Sequence, residues 1–177
     1  MKKVVLITSL ILLFIIIYLL QANLFNWFNL SGVKPNLFVI LVLTIGLFAG
    51  KKLGIILGIF FGIVIDSLIG KNIGVSAIML GFIGFFGEFL DKNFSKDSRI
   101  TMIAMIAIAT LVYEIGTIAF NYFINNSVIF SWYLIKTLTI ELIYNSIITI
   151  IIYPLIIKFG FKLEQNFKEN KILTRFF

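Results

Sequence analysis

The chain has 177 residues, 60% of them hydrophobic and 13% charged, with a formal charge of +7 and neither cysteine nor histidine. A soluble domain of this size needs far more polar surface, so the composition points to a polytopic, all-α membrane protein. Disulfides and thiolate metal sites are excluded, and the commonest general base and metal ligand is missing.

Lys2 and Lys3 precede VVLITSLILLFIIIYLL. This apolar run is longer than the usual secretory core of about 7–15 residues, and no Ala-x-Ala site follows, so it reads as an uncleaved first span over 4–20. Thr8 and Ser9 are its only small or polar residues, which predicts a peripheral, lipid-facing helix. In 22–34, Asn23, Asn26 and Asn29 recur among Leu24, Phe25, Trp27, Phe28 and Leu30. The segment is either interfacial, with rings at headgroup level, or an ordinary loop with an aromatic cluster.

Pro35 and Asn36 open a second span, 35–50, with proline at a helix start where its missing N–H does no harm. Residues 37–50 make only about 21 Å of helix against a ~30 Å hydrocarbon core. Either the span includes 33–36, or it is a partly buried segment packed on its neighbours. Lys51 and Lys52 mark a turn into the third span, 53–69.

Across this turn, Gly46, Gly50, Gly54, Gly58, Gly62, Asp66, Gly70 and Gly74 stand at every fourth position. Each four-residue step advances about 40° around a helix, so the whole series cannot share one face. Gly54, Gly58, Gly62 and Asp66 do share a broad stripe. Small residues at this spacing let transmembrane helices approach closely, and an intramembrane acid at the end of the stripe is a functional-site candidate. The alternative is a glycine-softened helix with Asp66 near the membrane surface. After an external turn at Gly70-Lys71-Asn72, the fourth span, 73–90, carries Gly74, Ser76, Ala77, Gly81, Gly84 and Gly87. Spans two to four are therefore expected to form a tightly packed half. Glu88 and Asp91 read as part of a solvated turn with the polar loop 91–99.

The fifth and sixth spans, 100–124 and 132–157, have few glycines. Glu114 lies near the middle of one, and Glu141 about 14 Å inside Trp132 on the other. Tyr113 and Asn121 accompany the first glutamate; Tyr144 and Asn145 share a helix face with the second. This polar seam is either protonatable and functional or a neutral, hydrogen-bonded pair of acids that fixes helix packing. The packing reading is favoured, because no mid-membrane His, Lys or Arg completes a relay. Lys136 is one turn deep and can snorkel outward. The basic tail 158–177 places Phe159, Leu163 and Phe167 at helical spacing, which suits an amphipathic helix on an anionic leaflet or against a partner; a frayed tail is the alternative.

With both termini in the cytoplasm, the lysines and arginines of 1–3, 51–52, 92–99 and the tail lie inside, and only Lys34, Lys71 and Lys136 lie outside. The positive-inside rule thus accounts for the charge within a single transmembrane domain, and no nucleic-acid ligand is needed. No hydrolase, nucleotide-binding or metal motif is present, so no catalytic residue, cofactor or metal is expected.

These features together resemble the MreD family of bacterial rod shape-determining membrane proteins. The resemblance rests on chain length, on the proline in P35-N-L-37, and on G58-IFFGIVIDSLIGKNIG-74 followed by Ala77, with best agreement over 33–90. Asn36 departs from the Pro-Asp that the family often has there. The resemblance implies a non-enzymatic subunit of the cell-elongation machinery in the bacterial inner membrane. It implies association with MreC and, through it, with the actin-like MreB filament and the glycosyltransferase and penicillin-binding transpeptidase that build peptidoglycan. By similarity, Gly58, Gly62, Asp66, Gly70 and Gly74 would be structural or interaction positions.

Two other functions compete. The seam of Tyr113, Glu114, Glu141, Tyr144 and Asn145 would suit the substrate-binding subunit of a vitamin transporter of the energy-coupling-factor type, although the first span lacks the Ala-x-x-x-Ala docking surface common in such subunits. A membrane-embedded enzyme on lipid-linked substrates would use Asp66 or Glu114 as acid or base.

Overall fold

The computed structural model describes residues 2–24, 32–69, 73–125 and 132–168, and within them the chain is all-α. Six helices follow in order: α1 (Lys2–Leu19, ending in a π-helical turn at Leu20–Leu24), α2 (Leu37–Ala49), α3 (Lys51–Ile69), α4 (Val75–Asn93), α5 (Arg99–Asn125) and α6 (Trp132–Phe167). Among the described residues, three stretches are long and apolar enough to cross a bilayer, namely Lys3–Asn23, Arg99–Ile124 and Leu134–Phe167. The aromatic cluster of 25–30, the turn 70–72 and the tail end 169–177 lie outside the described residues.

The short α2 is the axis of the fold. It has 13 residues, hydrophobic all round, and every one is buried. A helix that is apolar on all sides needs protein on all sides, and α3, α4, α5 and α6 supply it. Its start differs from the sequence expectation. Proline is not the first helical residue; Asn36 is the N-cap, its side chain accepting from Val39 N at 3.4 Å. Pro35 sits just outside, where its carbonyl accepts from the Gln21 side chain at 3.0 Å and ties the end of α1 to the start of α2.

The α2–α3 turn is a single residue, Gly50, with φ +90°, a left-handed conformation that a side chain would strain. It reverses the chain so abruptly that α2 and α3 pack side by side. α1 stands at the periphery. Among its described residues only Leu10 and Phe14 are buried, and Phe14 stacks on Phe61 at 4.3 Å and meets Phe38 at 5.3 Å. Leu12, Ile15, Ile16 and Leu19 are exposed, as suits a lipid-facing helix.

The end of α6 corrects a further expectation. The helix continues through Pro154 to Phe167, and its apolar stripe, at least as far as Phe167, is taken up by the chain itself. Leu163 is fully buried, while Phe159 and Phe167 pack against the core. Gly160 lies directly over the Phe48 ring, which leaves no room for a side chain.

Candidate functional site

In α2–α4 the backbones themselves are in contact. A Cβ added at Gly62 would lie 2.3 Å from Ala77 Cα, and one at Gly58 2.5 Å from the Leu80 carbonyl oxygen. Gly84 of α4 is wedged between two other glycines: its carbonyl oxygen would lie 2.3 Å from a Cβ at Gly46 and 2.6 Å from one at Gly54. Gly87 meets the Gly46 backbone in the same way. Lipid chains are as apolar as leucine, so helices in a bilayer gain from close van der Waals contact rather than from escape from water. Glycine at these positions supplies that contact.

The ladder ends in a cap. Asp66 is buried, and its Oδ2 accepts from the backbone N–H of Gly74 at 2.8 Å and of Ser76 at 3.1 Å. These are among the orphan donors at the start of α4, and a carboxylate satisfies them better than a neutral group. Gly74 itself has φ +103°. Gly70 lies outside the described residues.

The seam is continuous with this cap. Tyr113 Oη lies 3.4 Å from Ser76 Oγ, whose own backbone N–H is held by Asp66. On the other side, the N–H of Asn36 donates to Asn145 Oδ1 at 2.9 Å, and Asn145 Nδ2 donates to Thr110 Oγ1 at 2.9 Å. Asn145 and Thr110 are fully buried, so each of these bonds would be costly to lose. Glu114 and Glu141 lie next to each other across α5 and α6, and Asn36 lies close to Tyr113 and Glu141. Glu141 Oε1 is buried without a partner among the described residues. Tyr144 is half-buried one turn away. The structure thus unites Asn36, Asp66, Tyr113, Glu114, Glu141 and Asn145 along one polar path across the helices, joined by Ser76 and Thr110. Among the described residues no group of three or more acidic side chains is placed to hold a metal.

At the lysine-rich end, the charges expected to form a solvated turn form a network instead. Lys96 bridges Asp91 at 2.8 Å and Glu164 at 2.6 Å, and lies over the Phe48 ring at 4.8 Å. Lys168 pairs with Asp91 at 2.7 Å and donates to the carbonyl of Leu47, near the end of α2. Glu88 accepts from Lys51 N at 2.8 Å at the start of α3 and pairs with Lys92 at 3.1 Å. Burial alone would push the Asp91 carboxyl up, but the hydrogen bonds and charges of Lys168 and Lys96 outweigh it and hold the group below the usual carboxylate range.

A family model described as rod shape-determining protein MreD matches residues 1–163. No curated protein and no solved structure matches the chain.

Proposed function

We propose a scaffold role for this chain, which belongs to the MreD family of rod shape-determining membrane proteins. Membership carries rod-shape determination as the general function. The finer reading is a non-enzymatic, multi-pass subunit of the bacterial inner membrane, its lysine-rich end in the cytoplasm, that links an MreC-like partner to cytoskeletal MreB and to the glycosyltransferase and penicillin-binding transpeptidase.

The observation that carries this reading is the outer surface of the glycine-packed pair. Between α3 and α4 runs an apolar groove of about 390 Å³, floored by Ala77 and Gly81 and walled by Ile59, Ile78 and Phe82. Beside it Phe82, Phe86 and Phe89 form a stacked aromatic ridge, with centroids 6.2 and 5.6 Å apart. A rigid surface of small residues flanked by large exposed ones fits a partner's transmembrane helix.

Affinity purification from mildly solubilised bacterial membranes tests the proposal. Recovery of an MreC-like protein and the peptidoglycan synthases is expected. Replacing Phe82 and Phe85, both exposed, with alanine should lower that recovery about tenfold, equivalent to ~1.4 kcal/mol, at unchanged abundance of the chain. Recovery of paired ATPase subunits and their membrane coupler would replace the scaffold with a transporter.

A further inference from the structure

On the side of α1 away from Phe14, the bundle leaves a crevice of about 880 Å³ between α1, α2 and α6. Its lining runs along α1 from Ser9 to Leu20, about 17 Å at the helical rise. The walls are apolar, with Ile16 from α1, Ile40 from α2 and Ile152 from α6; Thr44 also reaches it, but its hydroxyl is already bonded to the Ile40 carbonyl. At one end stand Lys158 and Lys162, one turn apart on α6 and exposed. Neither forms an ion pair among the described residues, whereas nearby Lys96 and Lys168 both hold carboxylates. The crevice is therefore asymmetric, with a long apolar slot ending at two uncommitted cations.

We propose that this crevice binds an anionic phospholipid from the leaflet at the lysine-rich end, with an acyl chain along α1 and the phosphate at Lys158 and Lys162. The slot is long and lined by apolar side chains, as an acyl chain requires. The cations stand at the end where a headgroup of that leaflet lies. Lysine ammonium groups placed as point charges suit a phosphate that needs no fixed orientation.

The test is thermal unfolding of the delipidated, full-length protein in neutral detergent, with phosphatidylglycerol, phosphatidylcholine or inorganic phosphate added. Phosphatidylglycerol should raise the midpoint at concentrations about tenfold lower than phosphatidylcholine, and phosphate alone should not. Lys158→Gln with Lys162→Gln should remove that preference, since both side chains are exposed and hold nothing else in place. Ile16→Trp should weaken binding of both lipids by filling the slot, while the lysines remain. Equal response to the two lipids, an undiminished preference in the double lysine variant, or stabilisation by phosphate alone would overturn the proposal. So would a cysteine placed at Ile16, unique in this chain, that cross-links in membranes to a partner helix in place of lipid.

Discussion

The molecule holds its helices together in two ways. In α2–α4, glycines bring backbone onto backbone, and the acid of the ladder closes the α3–α4 turn through two N–H groups. Between α5 and α6, buried hydrogen bonds such as Asn145 to Thr110 fix the alignment. Close packing tolerates almost no added volume, whereas a polar joint tolerates volume near it but not the loss of a partner. The first arrangement makes a rigid unit; the second fastens the remaining helices to it.

The largest effect is expected where that volume limit is tightest. Gly62→Leu would drive its side chain into the Ala77 backbone; overpacking costs about 1–3 kcal/mol where side chains can yield, and more is expected here because the obstacle is main chain. A folded yield near wild type in detergent would break the comparison. Asn145→Leu tests the polar joint. It strands the Asn36 N–H and removes the donor to Thr110 Oγ1, whose own O–H stays bonded to the Ile106 carbonyl, and should cost about 2 kcal/mol in reversible unfolding.

Asp91→Asn should have a smaller, pH-dependent effect. The folded carboxyl lies below its ordinary range, so its contribution is present above the unfolded value of about 3.9 and is lost as pH falls through the folded value. Wild type and variant should differ by about 1–2 kcal/mol at neutral pH, between the surface and buried cases. Stability against pH should show the two curves converging in acid; a gap that stays constant below pH ~3 would contradict the ion-pair account.

What the sequence made legible was local. Four-residue glycine spacing pointed to close helix approach, the Lys51-Lys52 pair marked the turn, and the length of 37–50 already raised a buried, packed segment. What stayed hidden depends on distance along the chain. Nothing at Asn36 announces a bond to Asn145, 109 residues away, and nothing at Asp91 announces Lys168, 77 residues on. The stripe of Phe159, Leu163 and Phe167 was visible, but hydrophobic periodicity cannot distinguish a lipid surface from α2 of the same chain as its partner. The polar path through Ser76 escaped for a similar reason, since serine among glycines reads as one more small residue.

The contacts at Gly46, Gly54, Gly58, Gly62 and Gly84 imply that backbone contact, rather than the general presence of small residues, sets the stability of α2–α4. Reversible unfolding of Gly84→Ala beside Ala104→Leu tests it most directly. The first variant adds one carbon where the Gly54 carbonyl oxygen lies 2.2 Å from the new atom; the second adds three at an exposed position of α5. Alanine is the better helix former by about 1 kcal/mol, so propensity alone would make Gly84→Ala stabilising. We expect it instead to lose about 2 kcal/mol, with Ala104→Leu within about 0.5 kcal/mol of wild type. A neutral or stabilised Gly84→Ala would contradict the claim.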